Sequence, residues 1–326
     1  SMTAVNLDAV QAALATVKDP EIHRPITDLG MVDNVDIDPN GHVTVAILLT
    51  IAGCPLQSSI RDSVISAVSR VEGVTAVDVT LGVMTDEQRR AMRQKLQGPG
   101  AQKDIPFNKP GNHTTVYAVT SGKGGVGKSS TTVNLAATLA KRGFSVGILD
   151  ADIYGHSIPP MLGSTMPPTK VDDMMMPPEA HGVKCISIAQ FTAGNAPVVW
   201  RGPMLHRALQ QFLTDVYWGD LDFLLLDLPP GTGDIALSIP SLLPNSQLLI
   251  VTTPQTAAAE VAERSGMMAA QTKQKVVGVI ENMSWMELPD GSTVEMFGNG
   301  GGMTVAMDLT RMLGYQVNVL DQIPMD

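Results

Sequence analysis

With 326 residues the chain is long enough for two domains and a sizeable buried core. Its formal net charge of −10, from 22 Lys plus Arg against 32 Asp plus Glu, argues against broad binding to nucleic acid or anionic lipid, since both depend on basic surface. Cys54 and Cys185, the two cysteines, form neither a disulfide framework nor a C-x-x-C zinc set, no apolar run is long enough to span a bilayer and no signal pattern opens the sequence, so a cytoplasmic protein is expected.

Taken in chain order, Leu7, Val10, Leu14 and Val17 have helical spacing. Val35 and Ile37, the turn Asp38-Pro-Asn-Gly41, and Val43 to Leu49 at period two predict a β-hairpin. Ile60, Val64 and Val68 return to helical spacing, and Val77, Val79 and Leu81 alternate as a strand, giving an α-β-β-α-β order. Thr85 is placed to cap a helix over 86–96. Periodicity is then lost through a stretch rich in Gly and Pro. The expected organisation is a small α/β domain over 1–96, a linker over 97–112 and a second domain over 113–326.

The second domain reads as continuous apolar strands, 144–149, 223–226, 248–251 and 276–280, separated by helical patterns such as 204–216 and 256–270. Strands buried on both faces look like this, so the fold class is α/β, a parallel sheet wrapped by helices with ligands at the strands' C-terminal ends. Met174-Met-Met-Pro-Pro178 reads as a flexible loop with adaptable apolar contacts, and Cys185, in an apolar run, as core. A last strand is expected over 316–320. A further helix beyond Asp326 would complete such an architecture, so a truncated C-terminus is expected.

Chemistry concentrates on Ser121 to Ser130, where G-x-x-x-x-G-K-S follows a β-branched run and opens a helical pattern. Gly122, Lys123, Gly124, Gly125, Val126, Gly127, Lys128, Ser129 and Ser130 form a phosphate cradle. Its glycines admit a phosphate, the helix N-terminus and Lys128 supply positive charge, and the Ser129 hydroxyl is available to Mg²⁺. Asp150-Ala-Asp152 sets two carboxylates at the end of the next strand, where each could serve the phosphate site or cap the following turn. Phe223-Leu-Leu-Leu-Asp227 is an apolar strand ending in a carboxylate, as a Walker B aspartate holding Mg²⁺ requires. The glycines of Pro229 to Asp234 suit either a switch loop or an ordinary turn.

The K-G-G-V-G-K-S loop resembles the deviant Walker A loop of the ParA, MinD and nitrogenase-reductase group of ATPases. That resemblance implies that Lys123 reaches the nucleotide of a partner subunit, that Asp152 orients the attacking water and that Asp150 supports the metal site. Asp227-Leu-Pro-Pro-Gly-Thr-Gly-Asp234, Trp200-Arg-Gly-Pro-Met204, Thr252-Thr-Pro-Gln255 and Glu281-Asn-Met-Ser284 narrow the resemblance to the Mrp (ApbC, Nbp-like) iron–sulfur cluster carriers. Asp19-Pro-Glu21, Asp28-Leu-Gly-Met-Val32 and Gly53-Cys-Pro55 resemble the small iron–sulfur assembly domain often fused ahead of them. The resemblance implies a homodimeric, Mg²⁺-dependent ATPase that assists cluster assembly or transfer to client apoproteins, with Asn282 on the adenine base.

One departure matters. Cluster-carrying members have C-x-x-C just after the E-N-M-S segment, and here Trp285 to Gly291 contains no cysteine. Cys54, just ahead of a helix start, is the remaining ligand candidate, its thiolate expected to be favoured by the helix dipole; the alternative is a small residue packed under a loop. A cluster-free, ATP-switched scaffold and a ParA/MinD-like positioning ATPase are the competing expectations, the latter disfavoured by the acidic balance. A small-molecule kinase lacks an evident acceptor pocket and has no use for Lys123.

Overall fold

A computed structural model of the chain describes residues 3–97, 104–121, 127–152, 158–163, 167–191, 202–229, 234–252, 258–287, 293–295 and 301–325. The chain forms two compact units. One comprises Ser1–Gln102 with Thr169–Met176, the other Lys103–Pro168 with Pro177–Asp326.

The first unit opens with α1 (Leu7–Leu14), whose N-terminus is capped by the Asn6 side chain accepting from the Asp8 and Ala9 N–H groups at 2.8 and 3.3 Å. β1 (Val32–Ile37) and β2 (His42–Leu49) run antiparallel across a turn in which Asp38 Oδ1 accepts from the Asn40 and His42 N–H groups. That turn demands Gly41, which has φ +81° and where a Cβ would lie 2.3 Å from the Gly73 carbonyl oxygen. Strand alternation buries Val43, Val45, Ile47 and Leu49 on one face. α2 (Gln57–Ser69) covers them with Ile60, Val64 and Val68 and crosses to β3 (Ala76–Val83), parallel to β2. Thr85 and Gln88 exchange side-chain to backbone hydrogen bonds of 3.2 and 2.8 Å, the capping box that starts α3 (Asp86–Gln97).

The second unit begins with β4 (Thr115–Ser121), α4 (Lys128–Lys141), β5 (Val146–Asp150) and α5 (Ile158–Met161). The chain then contributes the short antiparallel hairpin β6 (Thr169–Val171) and β7 (Met174–Met176) to the first unit. It resumes as β8 (Glu179–Ala180), β9 (Val183–Ser187), α6 (Gly202–Thr214), β10 (Phe223–Asp227), α7 (Asp234–Leu242), β11 (Gln247–Thr252), α8 (Ala258–Thr272), β12 (Val276–Glu287), β13 (Thr293–Glu295), α9 (Gly301–Leu313) and β14 (Asn318–Met325). The sheet runs β13-β12-β11-β4-β10-β5-β9-β8, with β14 also beside β12, and only β8 and β13 pair antiparallel. Leu224, Leu225 and Leu226 on β10 have no exposed surface, and burying each stabilises the fold by about 1.5–3 kcal/mol. Gly147 allows the close approach of the Trp218 ring, which would meet a Cβ at 2.8 Å.

Three expectations change. The second half of the expected linker belongs to the second unit: Phe107 is buried and Asn108 Nδ2 donates to the Leu242 carbonyl at 2.7 Å. The domain division is also not a single cut, because the β6–β7 hairpin packs with residues before 103. Finally, Met174, Met175 and Met176 are not a loose loop but the strand β7, all three buried.

Candidate nucleotide site

The sheet register builds the site. Val119, Asp227, Asp150 and Ser187 stand side by side where β4, β10, β5 and β9 reach their C-terminal ends. At this edge α4 begins, with Gly127 as its N-cap at φ +73° and no side-chain cap. A left-handed N-cap favours glycine, and the first helical N–H groups are left facing the strand ends. That disposition suits a phosphate.

Asp227 is the hub. It has no exposed surface, and its Oδ1 lies 2.7 Å from Lys128 Nζ and accepts from Thr132 Oγ1 at 3.0 Å, while Oδ2 accepts from Ser129 Oγ at 2.8 Å. Lys128 Nζ is also 3.3 Å from Asp152 Oδ2, so one buried ammonium links both carboxylates. A buried ion pair seldom adds net stability, because desolvating both charges offsets their attraction; retaining one here points to function. The hydroxyl of Ser129 and the carboxylate of Asp227 bring hard oxygens together from two elements, the donor chemistry Mg²⁺ selects, so these residues fit that ion.

Asp150, one strand away, has a different shell. Its Oδ1 accepts from the Asp152 N–H at 3.2 Å, its Oδ2 from the Ile158 N–H at 3.0 Å, and Ser187 adds a side-chain hydrogen bond. These are the bonds of a strand-end cap on the segment that follows β5. Burial pushes its carboxyl up to about 6; the Ile158 N–H opposes the rise, and the neighbouring Asp227 charge adds to it. Both ends of the segment between Asp152 and Ile158 are thereby fixed to one carboxylate.

Lys128, Ser129, Asp152 and Asp227 thus converge as the sequence suggested. Lys123, with the rest of 122–126, lies outside the described residues, as does the 230–233 part of the glycine loop. Asn282 lies on β12 with its backbone paired to Ile323, and its side chain is outside the described residues. Thr132 and Ser187 were missed. Thr132 sits one helical turn beyond Lys128, a spacing that would have revealed it. Ser187 needed the register of β5 with β9, which spacing does not supply.

Cys54 lies just ahead of α2, as its sequence position suggested, but is buried, 7% exposed. Burial pushes the thiol up, the Leu56 N–H opposes this, and the charges of Glu21 and Asp19 raise it further, the opposite direction from that expected of a helix dipole. Cys185 is packed in the core with Ile148 and Leu225, as expected. One buried thiol lies in each unit, and among the described residues no group of three or more His, Cys, Asp or Glu is arranged to hold a metal.

Comparison with known proteins agrees with this architecture over nearly the whole chain. A family model described as an NUBPL iron-transfer P-loop NTPase matches residues 112–326, and one described as an iron–sulfur cluster assembly protein matches residues 7–97. The iron–sulfur cluster carrier protein of Mycobacterium tuberculosis is 62% identical over 318 residues, covering 98% of this chain and 84% of the relative. That of Bacillus subtilis is 41% identical over 320 residues, covering 98% and 88%. Among solved structures, a nucleotide-binding protein from Archaeoglobus fulgidus in complex with ADP shares 35% identity with a TM-score of 0.54, over 74% of this chain and 87% of that one. No helix among the described residues is long and apolar enough to cross a membrane. From the Walker A lysine joined to its buried aspartate through to the small N-terminal domain, the chain belongs to the iron–sulfur cluster carrier (Mrp/ApbC) family of ParA-type P-loop NTPases.

Proposed function

We propose that the chain binds ATP with Mg²⁺, hydrolyses it within a homodimer, and uses that cycle to assist iron–sulfur cluster assembly or transfer to client apoproteins. The observation that carries this reading is the junction of Lys128 and Ser129 on Asp227 at the strand ends, with Asp152 on the same ammonium. On nucleotide binding, Lys128 exchanges its carboxylate partners for the β- and γ-phosphates. Ser129 and Asp227 would hold Mg²⁺, which would supply charge neutralisation on the phosphates. Asp152, freed from the ammonium, accepts a hydrogen bond from water and aims its oxygen at the γ-phosphorus; that P–O bond forms as the bond to the ADP oxygen breaks, and the water's protons leave with the phosphate product and to solvent. Asp150 holds the backbone that carries Asp152. Lys123 serves the partner's nucleotide and Asn282 the adenine.

A cluster-free, ATP-switched scaffold is the second reading, favoured by the two buried thiols and the missing cysteine pair. Phosphate release with Mg²⁺ and ATP, together with iron content after anaerobic reconstitution, tests both. Turnover should vanish in Asp152→Asn and in Lys123→Ala while nucleotide binding persists. A parent chain that releases no phosphate defeats the ATPase reading, whereas turnover without stoichiometric iron selects the scaffold.

A further inference from the structure

The small unit's three-stranded sheet has two edges, and they are guarded unequally. Natural sheets protect an edge strand with charges, prolines or bulges, because its unpaired N–H and C=O groups otherwise invite another chain. β1 is protected: its register with β2 shifts between Val32 and Asn34, and Asp33 and Asp36 on it are exposed. β3 is not. It pairs with β2 without interruption from Ala76 opposite His42 to Val83 opposite Leu49, and with no other strand among the described residues. Its sequence, Ala76-Val-Asp-Val-Thr-Leu-Gly-Val83, holds no proline, no lysine or arginine, and Asp78 as its single charge.

Which groups lie open follows from the ladder. The Met84 N–H donates to the Leu49 carbonyl at 2.8 Å, and groups pointing to one neighbour alternate along a strand, so the even-numbered N–H groups of β3 serve β2. Those of Val77, Val79, Leu81 and Val83 point to the free edge. Side chains sort in the same way. Val77, Val79 and Leu81 are half-buried on the face that α2 covers, in register with Val43, Val45 and Ile47, whereas Asp78, Thr80 and Gly82 are exposed on the opposite face. Asp78 meets His42 Nε2 at 2.6 Å, yet its side chain stays 69% exposed and can take a further partner. Asp36 stands in the same cross-strand row, Asp36 to Thr44 to Asp78, and adds to the negative charge there.

We propose that β3 is a docking edge for an extended segment of a partner polypeptide, one with a lysine or arginine at Asp78 on one face and apolar residues beside Val77, Val79 and Leu81 on the other. Main-chain hydrogen bonds supply the affinity of such strand addition, and the alternate side chains select the sequence. Charge complementarity decides against a second copy of this chain as the occupant. β3 has no cation, so its own duplicate laid antiparallel sets Asp78 opposite itself or an uncharged residue and leaves both carboxylates unmatched. That the partner is a client apoprotein rests on the proposed function above; the docking edge itself does not.

The probes are a fluorescein-labelled peptide alternating valine and threonine around one central lysine, and its counterpart with glutamate in that place, each titrated into the full chain by fluorescence anisotropy. The lysine peptide should bind about fivefold more tightly than the glutamate one, the scale of an exposed charge pair gained against one repelled. Asp78→Lys, at an exposed position, should reverse that order. Val79→Pro removes one free N–H and none that serves β2, and should abolish binding. Hydrogen exchange at Val77, Val79 and Leu81 should slow with the lysine peptide while the β1 amides are unchanged. No saturable binding below about 1 mM overturns the docking edge, as does binding that leaves these amides unprotected or is indifferent to Asp78→Lys. Protection of β3 that grows with protein concentration in the absence of peptide also overturns it, since the occupant is then a second copy. Phosphate release reads the other claim separately: a chain that captures the lysine peptide but releases no phosphate keeps the docking edge and loses the ATPase.

Discussion

Asp227 and Asp150 are neighbours in register on adjacent strands, both almost without exposed surface, yet their surroundings make them opposites. Asp227 is met by an ammonium and two hydroxyls, Asp150 by two backbone N–H groups and the Ser187 hydroxyl. One carboxylate is compensated by mobile side-chain donors that a metal or phosphate can displace. The other has two of its three donors in the main chain, and these cannot be exchanged without moving the segment they belong to. Side by side, they separate ligand holding from positioning within one strand edge.

The largest effect is expected from breaking the compensated side. Lys128→Ala leaves the Asp227 and Asp152 carboxylates buried together without their cation, and removing one partner of a buried pair costs about 3–5 kcal/mol. Urea unfolding monitored by tryptophan fluorescence reads this in the right unit, since Trp200, Trp218 and Trp285 all belong to the second one. Adding Asp227→Asn to Lys128→Ala should recover part of the loss, because the buried anion goes with it. A doubly substituted chain that is weaker by the sum of the single effects would mean that the two residues are not coupled.

Breaking the other side should do the reverse at neutral pH. Asp150 titrates at about 6 in the fold against 3.8 in the open chain, so between these values the native state retains a proton that the unfolded state has lost. Stability from this group is therefore highest below about pH 4, falls as pH rises to about 6 and is then level, by a total of about 3 kcal/mol. Asp150→Asn should remove that slope and lower turnover more than nucleotide affinity, because the segment carrying Asp152 loses one of its two anchors. Thermal midpoints at pH 4.5 and 7 decide the matter. Equal slopes in parent and variant would show that Asp150 ionises normally.

This contrast was only half visible in the sequence. Asp227 was legible because a strand of three leucines ending in a carboxylate is a local pattern, and Lys128 and Ser129 because they close the glycine loop at fixed positions of its motif. The different shell of Asp150 was not, since it depends on where α5 starts and on the pairing of β5 with β9, both set by packing across the sheet. The three methionines misled for the same reason: flanking prolines look like a loop, and only burial from distant residues makes them a strand. For Cys54, position before a helix was readable, but the burial that outweighs the hydrogen bond from the Leu56 N–H was not.

The smallest effect tests how much of the Asp227 shell is redundant. Thr132 donates to Asp227 Oδ1 and also reaches the Lys128 carbonyl at 3.0 Å, so its hydroxyl is shared between the carboxylate and its own helix. Thr132→Val keeps the shape and removes that hydroxyl. Lys128 and Ser129 still satisfy both Asp227 oxygens, which limits the cost to about 1 kcal/mol rather than the larger penalty of an abandoned charge. Turnover should fall only a few-fold, with Thr132→Ser returning it to the parent value in the same phosphate-release assay. A loss as large as that of Lys128→Ala would instead make the Thr132 hydroxyl the donor that sets the Asp227 rotamer, and the hub would then be organised from the helix rather than from the lysine.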